Sequence, residues 1–250
     1  MTAPATGHAV PLYAEPTDET EWKRRRTEVN TCGASEVYRI LHGDRLVFAL
    51  ERRGEAPAFT GNTLTARGND AEPHILRWAG ATKPGWVYRH PTIPCLTATP
   101  DGVRTTGAGT VLVEAKWTES WQLDSVRRFI DHGPMAVMGS MPFRWWVQAQ
   151  AQTAIFGVGV ELAVMVGSAA LADALGGREP EASSMFRIPV APDPAYIAAI
   201  ERQIPAFMER FVYGTELPAP GPTDEDLRAA AKRWCLLNGV IVEDPAMNDT

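Results

Sequence analysis

Thr99-Pro100-Asp101-Gly102, followed by Leu112-Val113-Glu114-Ala115-Lys116, is the stretch around which this chain organises itself. Pro100 and Gly102 bracket Asp101 as turn residues do, and Val111–Trp117 has the apolar, β-branched character of a strand. Glu114 and Lys116 stand two apart, so on a strand both project from one face. The run therefore sets two carboxylates and an ammonium on adjacent strands. Hard oxygen ligands suit Mg²⁺, or Mn²⁺ in its place, and a Lys beside a metal-bound water can orient it or take its proton. Such a group serves metal-assisted hydrolysis of a phosphodiester. Alone, the same residues are ordinary solvated decoration of an amphipathic strand, so the flanking sequence has to decide.

Upstream, Arg67-Gly68-Asn69-Asp70-Ala71-Glu72-Pro73-His74 adds a carboxylate to a segment, about Thr65 to Ala79, whose other side is apolar (Ile75, Leu76, Ala79). Its spacing predicts a helix, with Pro73 placing Glu72 at a kink or just before a fresh start. Downstream, Trp145-Trp146-Val147-Gln148-Ala149-Gln150-Ala151-Gln152 predicts a second helix, on which Gln148 and Gln152 share a face and Gln150 points roughly the other way. Strands are predicted at Trp86–Arg89, Cys95–Thr99, Val160–Val166 and Met185–Val190, and further helices near Ser120–Ile130 and Ala195–Val212. This alternation predicts a mixed α/β or α+β core. Residues 1–19 lack periodicity and read as a flexible arm, 20–213 as the main domain, and 214–250 as a Pro-rich linker (ELPAPGPT) with a helical tail.

The 250 residues suffice for one or two domains. With 45% hydrophobic and 22% charged residues and no apolar run near the length of a membrane span, disordered, collagen-like and membrane-spanning classes drop out. The net charge, 24 − 30 = −6, argues against binding nucleic acid through overall charge. Its distribution matters more: residues 21–53 carry eight basic against five acidic side chains, whereas 216–250 carry seven acidic against three basic. Three separated cysteines (Cys32, Cys95, Cys235) and no leader-like start point to a reducing cytoplasm, and they are too few for a four-cysteine iron–sulfur site. His74 and His90, each beside a proline, read as structural.

Four pieces in this order, Ala71-Glu72-Pro73-His74, the run from His90-Pro91 to Asp101-Gly102, Val113-Glu114-Ala115-Lys116 and Gln148-x-Gln-x-Gln, resemble the YqaJ-type viral recombinases, the group that includes lambda-type alkaline exonucleases, within the PD-(D/E)XK nuclease superfamily. Trp22 to Arg26 and Gly33-Ala34-Ser35-Glu36 are similar to the start of that family, and the likeness runs over about residues 20–165. It implies a restriction-endonuclease-like α/β fold with a mixed central sheet flanked by helices, and a Mg²⁺-dependent 5′-to-3′ exonuclease acting on linear double-stranded DNA to leave 3′ overhangs for recombination. By the same resemblance, Asp101, Glu114 and the Ala115 carbonyl hold metal, Glu72 serves a second ion, Lys116 activates the water and Gln148 lies near the scissile phosphate. Gln150 is the rival for that last place. Arg26, Ser35 and Thr99 would grip the 5′-phosphate, with Arg24 or Arg25 as alternatives to Arg26. Implied partners are DNA ends, a single-strand annealing protein and further copies of the chain in a trimeric ring.

Other readings compete. The metal site would serve a structure-specific or RecB-like endonuclease equally well, and a decayed scaffold would bind DNA without cutting it. Retention of Glu72, Asp101, Glu114 and Lys116 together counts against decay. A hydrolase of small phosphoesters lacks a His-rich or Gly-rich phosphate motif.

Overall fold

The computed structural model describes residues 8–15, 21, 30–57, 63–107, 109–167 and 185–223. The chain forms two compact units, one from Met1–Tyr38 and Thr60–Ala206, the other from Arg39–Phe59 and Phe207–Thr250.

At the centre of the larger unit is a four-stranded sheet in the order β5 (Gly102–Thr106), β6 (Gly109–Thr118), β7 (Val160–Val166) and β8 (Met185–Val190). The β5–β6 and β7–β8 pairs are antiparallel and the β6–β7 pair is parallel, which makes the sheet mixed. All seven residues of β7 (VELAVMV) are buried, as a strand covered on both faces must be. Parallel neighbours need a long crossover, here carrying helices α4 (Leu123–His132) and α5 (Met141–Phe156). On the opposite face lies α3 (Thr63–Ala79), whose Ala71, Ile75, Leu76 and Ala79 pack with Val113, Ala163 and Met165 of the sheet. Pro73 is accommodated inside α3 without ending it. This is the α/β class expected, with a mixed sheet between helices.

A second sheet, in the order β1 (Val10–Ala14), β3 (Trp86–Arg89), β4 (Leu96–Ala98) and β2 (Cys32–Gly33), stands beside it. Here the structure departs from the expected flexible arm over residues 1–19, because Val10–Ala14 forms an edge strand antiparallel to β3. Five residues containing Pro11 give no readable period, and the pairing slips between Pro11 and Tyr13, as an edge strand holding a proline does. Cys32 and Cys95 are buried thiols, and among the described residues no helix is long and apolar enough to cross a membrane.

In the smaller unit, α2 (Arg45–Arg52) buries Leu46, Val47, Phe48 and Ala49, and Phe48 meets Phe207 with ring centroids 6.1 Å apart. Arg39 bridges Asp44 and Glu51, the latter at 2.7 Å. The segment read as a Pro-rich linker makes hydrogen bonds within this unit: Arg45 Nε donates to the Ala219 carbonyl at 2.8 Å and Arg53 Nη1 to that of Glu216 at 3.1 Å. The expected helical tail lies outside the described residues.

One ion pair braces the central sheet. Arg104 on β5 reaches Glu161 on β7 at 2.6 Å, while Glu161 Oε1 and Arg104 Nε are buried without a partner. Removing the cation strands a carboxylate in the sheet, so Arg104→Met should cost about 3 kcal/mol in urea unfolding. Adding Glu161→Leu should restore most of it. An additive double variant would contradict this.

Candidate active site

The site grows from a mismatch in strand length. The ladder between β5 and β6 ends at Gly102 opposite Val113, whereas β6 stays paired with β7 as far as Thr118. Residues 114–118 thus outrun β5, and the Ala115 N–H donates instead to Asp101 Oδ2 at 2.9 Å. The Ala115 carbonyl projects on the same side of the strand. Gly102 permits the close approach of α3 here, since a Cβ on it would stand 2.7 Å from Leu76 Cδ2 and 2.9 Å from Ala81. That approach brings Glu72, one helical turn before Leu76, to the same place.

Glu72, Asp101, Glu114, Ala115, Lys116 and Gln148 all line one cleft of about 510 Å³. Glu114 is 1% exposed. Its Oε1 accepts from Lys116 Nζ at 2.7 Å and from Gln148 Nε2, and its Oε2 from Gln152 Nε2 at 2.5 Å. Lys116 Nζ also donates to Gln148 Oε1 at 3.0 Å. Gln150, the rival for Gln148, faces elsewhere: it accepts from the Asp193 N–H and donates to the Ala191 carbonyl, both at 2.9 Å.

Charge in the cleft is unbalanced. Burial, then the nearby Glu114 and Glu72 carboxylates, push the Asp101 carboxyl well above its ordinary range, with Lys116 opposing. Burial works against charge on Lys116, but Glu114 and Asp101 outweigh it and keep the ammonium protonated beyond its usual range. Lys83, at the cleft wall, bridges Glu72 at 3.3 Å and Glu15 at 3.5 Å.

These residues fit a divalent cation on the chemistry of the donor set: hard carboxylate oxygens, a backbone carbonyl and surplus negative charge in a buried cleft. Among the described residues no three His, Cys, Asp or Glu side chains converge as a ready cage. Mg²⁺ asks for none, being held by one or two carboxylates together with waters and substrate phosphates.

Asp101 carries a stability consequence. Its raised pKa means that the folded chain holds a proton the unfolded chain has released, so stability falls as pH rises between the two values. Asp101→Asn keeps the acceptor for Ala115 and removes the repulsion. In chelator at neutral pH it should melt above the wild type, with the gap closing as pH falls; a lower Tm would contradict this.

The phosphate-binding candidates are distributed differently. Ser35 is exposed on the 3₁₀ turn Ala34–Glu36 and Thr99 is half-buried after β4, both lining the cleft. Of that turn's N–H groups, Gly33's is taken by the Glu36 carboxylate at 2.9 Å. Arg26, like Arg24 and Arg25, lies outside the described residues. His90 is structural, its Nδ1 accepting from the Thr92 and Ile93 N–H groups. Three contributors went unassigned in the sequence: Gln152, visible only as sharing a face with Gln148, and Glu15 and Lys83, for which no local pattern exists.

The architecture around the cleft is thus a mixed sheet with helices on both faces, whose overhanging strand carries Glu114-x-Lys116 opposite the Asp101 turn. Two solved structures share this fold. An alkaline exonuclease (LHK-Exo) from Laribacter hongkongensis superposes with a TM-score of 0.56 at 21% identity, covering 87% of this chain and 99% of that one. A phage related exonuclease from Haemophilus somnus 129PT does so with 0.50 at 13% identity, covering 80% and 88%. No family model and no curated protein sequence matches the chain. At these identities the likeness establishes the fold.

Proposed function

We propose that this chain is a Mg²⁺-dependent deoxyribonuclease, an exonuclease that degrades one strand of linear duplex DNA from its 5′ end and leaves 3′ overhangs for phage-type recombination. The observation that carries the reading is the group of half-buried Asp101, buried Glu114 and half-buried Lys116, roofed by Gln148 and Gln152, in a cleft of a fold shared with two exonucleases. Asp101, Glu114 and the Ala115 carbonyl would hold the ion, with Glu72 beside them for a second. When bound, the metal polarises the phosphodiester and supplies a reactive water. The chain does the rest. Lys116 offers its N–H donors to the attacking water and to charge developing on the phosphate, Gln148 fixes the Lys116 ammonium, and the Ser35 and Thr99 hydroxyls receive the terminal phosphate.

A single-strand annealing protein as partner, a trimeric ring for processivity and a cytoplasmic setting complete the proposal. Its test presents Mg²⁺ and linear duplexes bearing 5′-phosphate or 5′-hydroxyl ends beside a closed circle. Loss of the linear 5′-phosphorylated duplex alone supports an end-dependent exonuclease. Cutting of the circle would overturn it in favour of an endonuclease.

A further inference from the structure

We infer that Gln152 is a positioning residue that presents Glu114 Oε2 to the divalent cation and thereby sets the affinity for that ion; this rests on the nuclease reading above. The two oxygens of Glu114 are not equivalent. Oε1 accepts from both Lys116 and Gln148, which fills its lone pairs, whereas Oε2 accepts from Gln152 alone at 2.5 Å and keeps one lone pair to give. The oxygen that Gln152 holds is therefore the one with coordinating capacity left.

The amide is held in that orientation at a cost. Gln152 is 1% exposed, and its Oε1 is buried with no hydrogen-bond partner. An unpaired buried acceptor is unfavourable, and it persists here because the same amide has its N–H turned to Glu114. Gln148 does a different job, since it touches Lys116 with its oxygen and Glu114 with its nitrogen, coupling the two charged groups. Gln150, from the same run, holds the turn at Ala191–Asp193 and is the natural control. Groups that orient a ligating carboxylate in this way typically govern metal affinity by 10–100-fold.

The test titrates the full chain with Mn²⁺ in the absence of DNA and reads the free ion by electron paramagnetic resonance, with melting followed in parallel. Gln152→Met keeps the volume and removes the donor, and it should weaken Mn²⁺ binding by about 10–100-fold. Nuclease activity should return as metal is raised. Gln150→Met should lower Tm and leave Mn²⁺ affinity within about twofold of wild type. If Gln152→Met does not fold, Gln152→Asn, which keeps the amide but shortens its reach, should give an intermediate loss. Wild-type affinity in a folded Gln152 variant overturns the inference alone. A wild-type chain that neither binds Mn²⁺ nor cleaves DNA overturns the nuclease reading with it.

Discussion

Lys116→Met should reduce the rate of DNA hydrolysis by about 10³-fold while leaving the protein folded and able to bind duplex ends. The Lys116 ammonium contacts Glu114 Oε1 at 2.7 Å and Gln148 Oε1 at 3.0 Å, so its position is fixed from two elements before substrate arrives. The methionine fills the same space but donates nothing. The expected signature is a collapse of kcat with little change in the DNA concentration needed for half-saturation, because the lost contacts act on the reacting atoms. A proportionate rise in KM with kcat intact would assign Lys116 to binding instead.

Glu114→Gln should be worse in both respects, with activity down by about 10³-fold or more and stability down by about 2–4 kcal/mol. The two follow from one geometry. Glu114 accepts from Lys116, Gln148 and Gln152, all of them donors, and a neutral amide turns one N–H group toward them. It also leaves the half-buried Lys116 ammonium without its ion-pair partner. Asp101→Asn loses activity as well yet should gain stability, since Asp101 is the carboxylate that burial and its neighbours disfavour. Two isosteric changes in one cleft are thus expected to shift Tm in opposite directions, measured by thermal melting in chelator.

Much of this arrangement was legible because its signals are local. β7 is apolar but for Glu161, and α3 carries its apolar residues at i, i+3 and i+4, whereas Asp101 and Glu114, expected on adjacent strands, meet through the β5–β6 hairpin, because the strand before Asp101 belongs to the other sheet. β5 was not legible: Gly102–Thr106 (GVRTT) is half-exposed and polar, and becomes a strand because β6 offers it a ladder. β1 escaped for a similar reason, being short, interrupted by Pro11 and dependent on β3. With β1 unseen, Glu15 and its bridge to Lys83 were unseen too. Helical period put Gln148 and Gln152 on one face but could not say that this face covers Glu114, which depends on how α5 crosses the sheet.

The most direct measurement follows nucleotide release over time from a linear duplex labelled on one strand and bearing 5′-phosphates, with Mg²⁺ or with chelator, for the wild type and Lys116→Met. The account predicts Mg²⁺-dependent release of mononucleotides from the 5′-ended strand by the wild type, reduced about 10³-fold in the variant. Equal release by both proteins, or none from the wild type at any Mg²⁺ concentration, would contradict the assignment of this cleft as a nuclease centre.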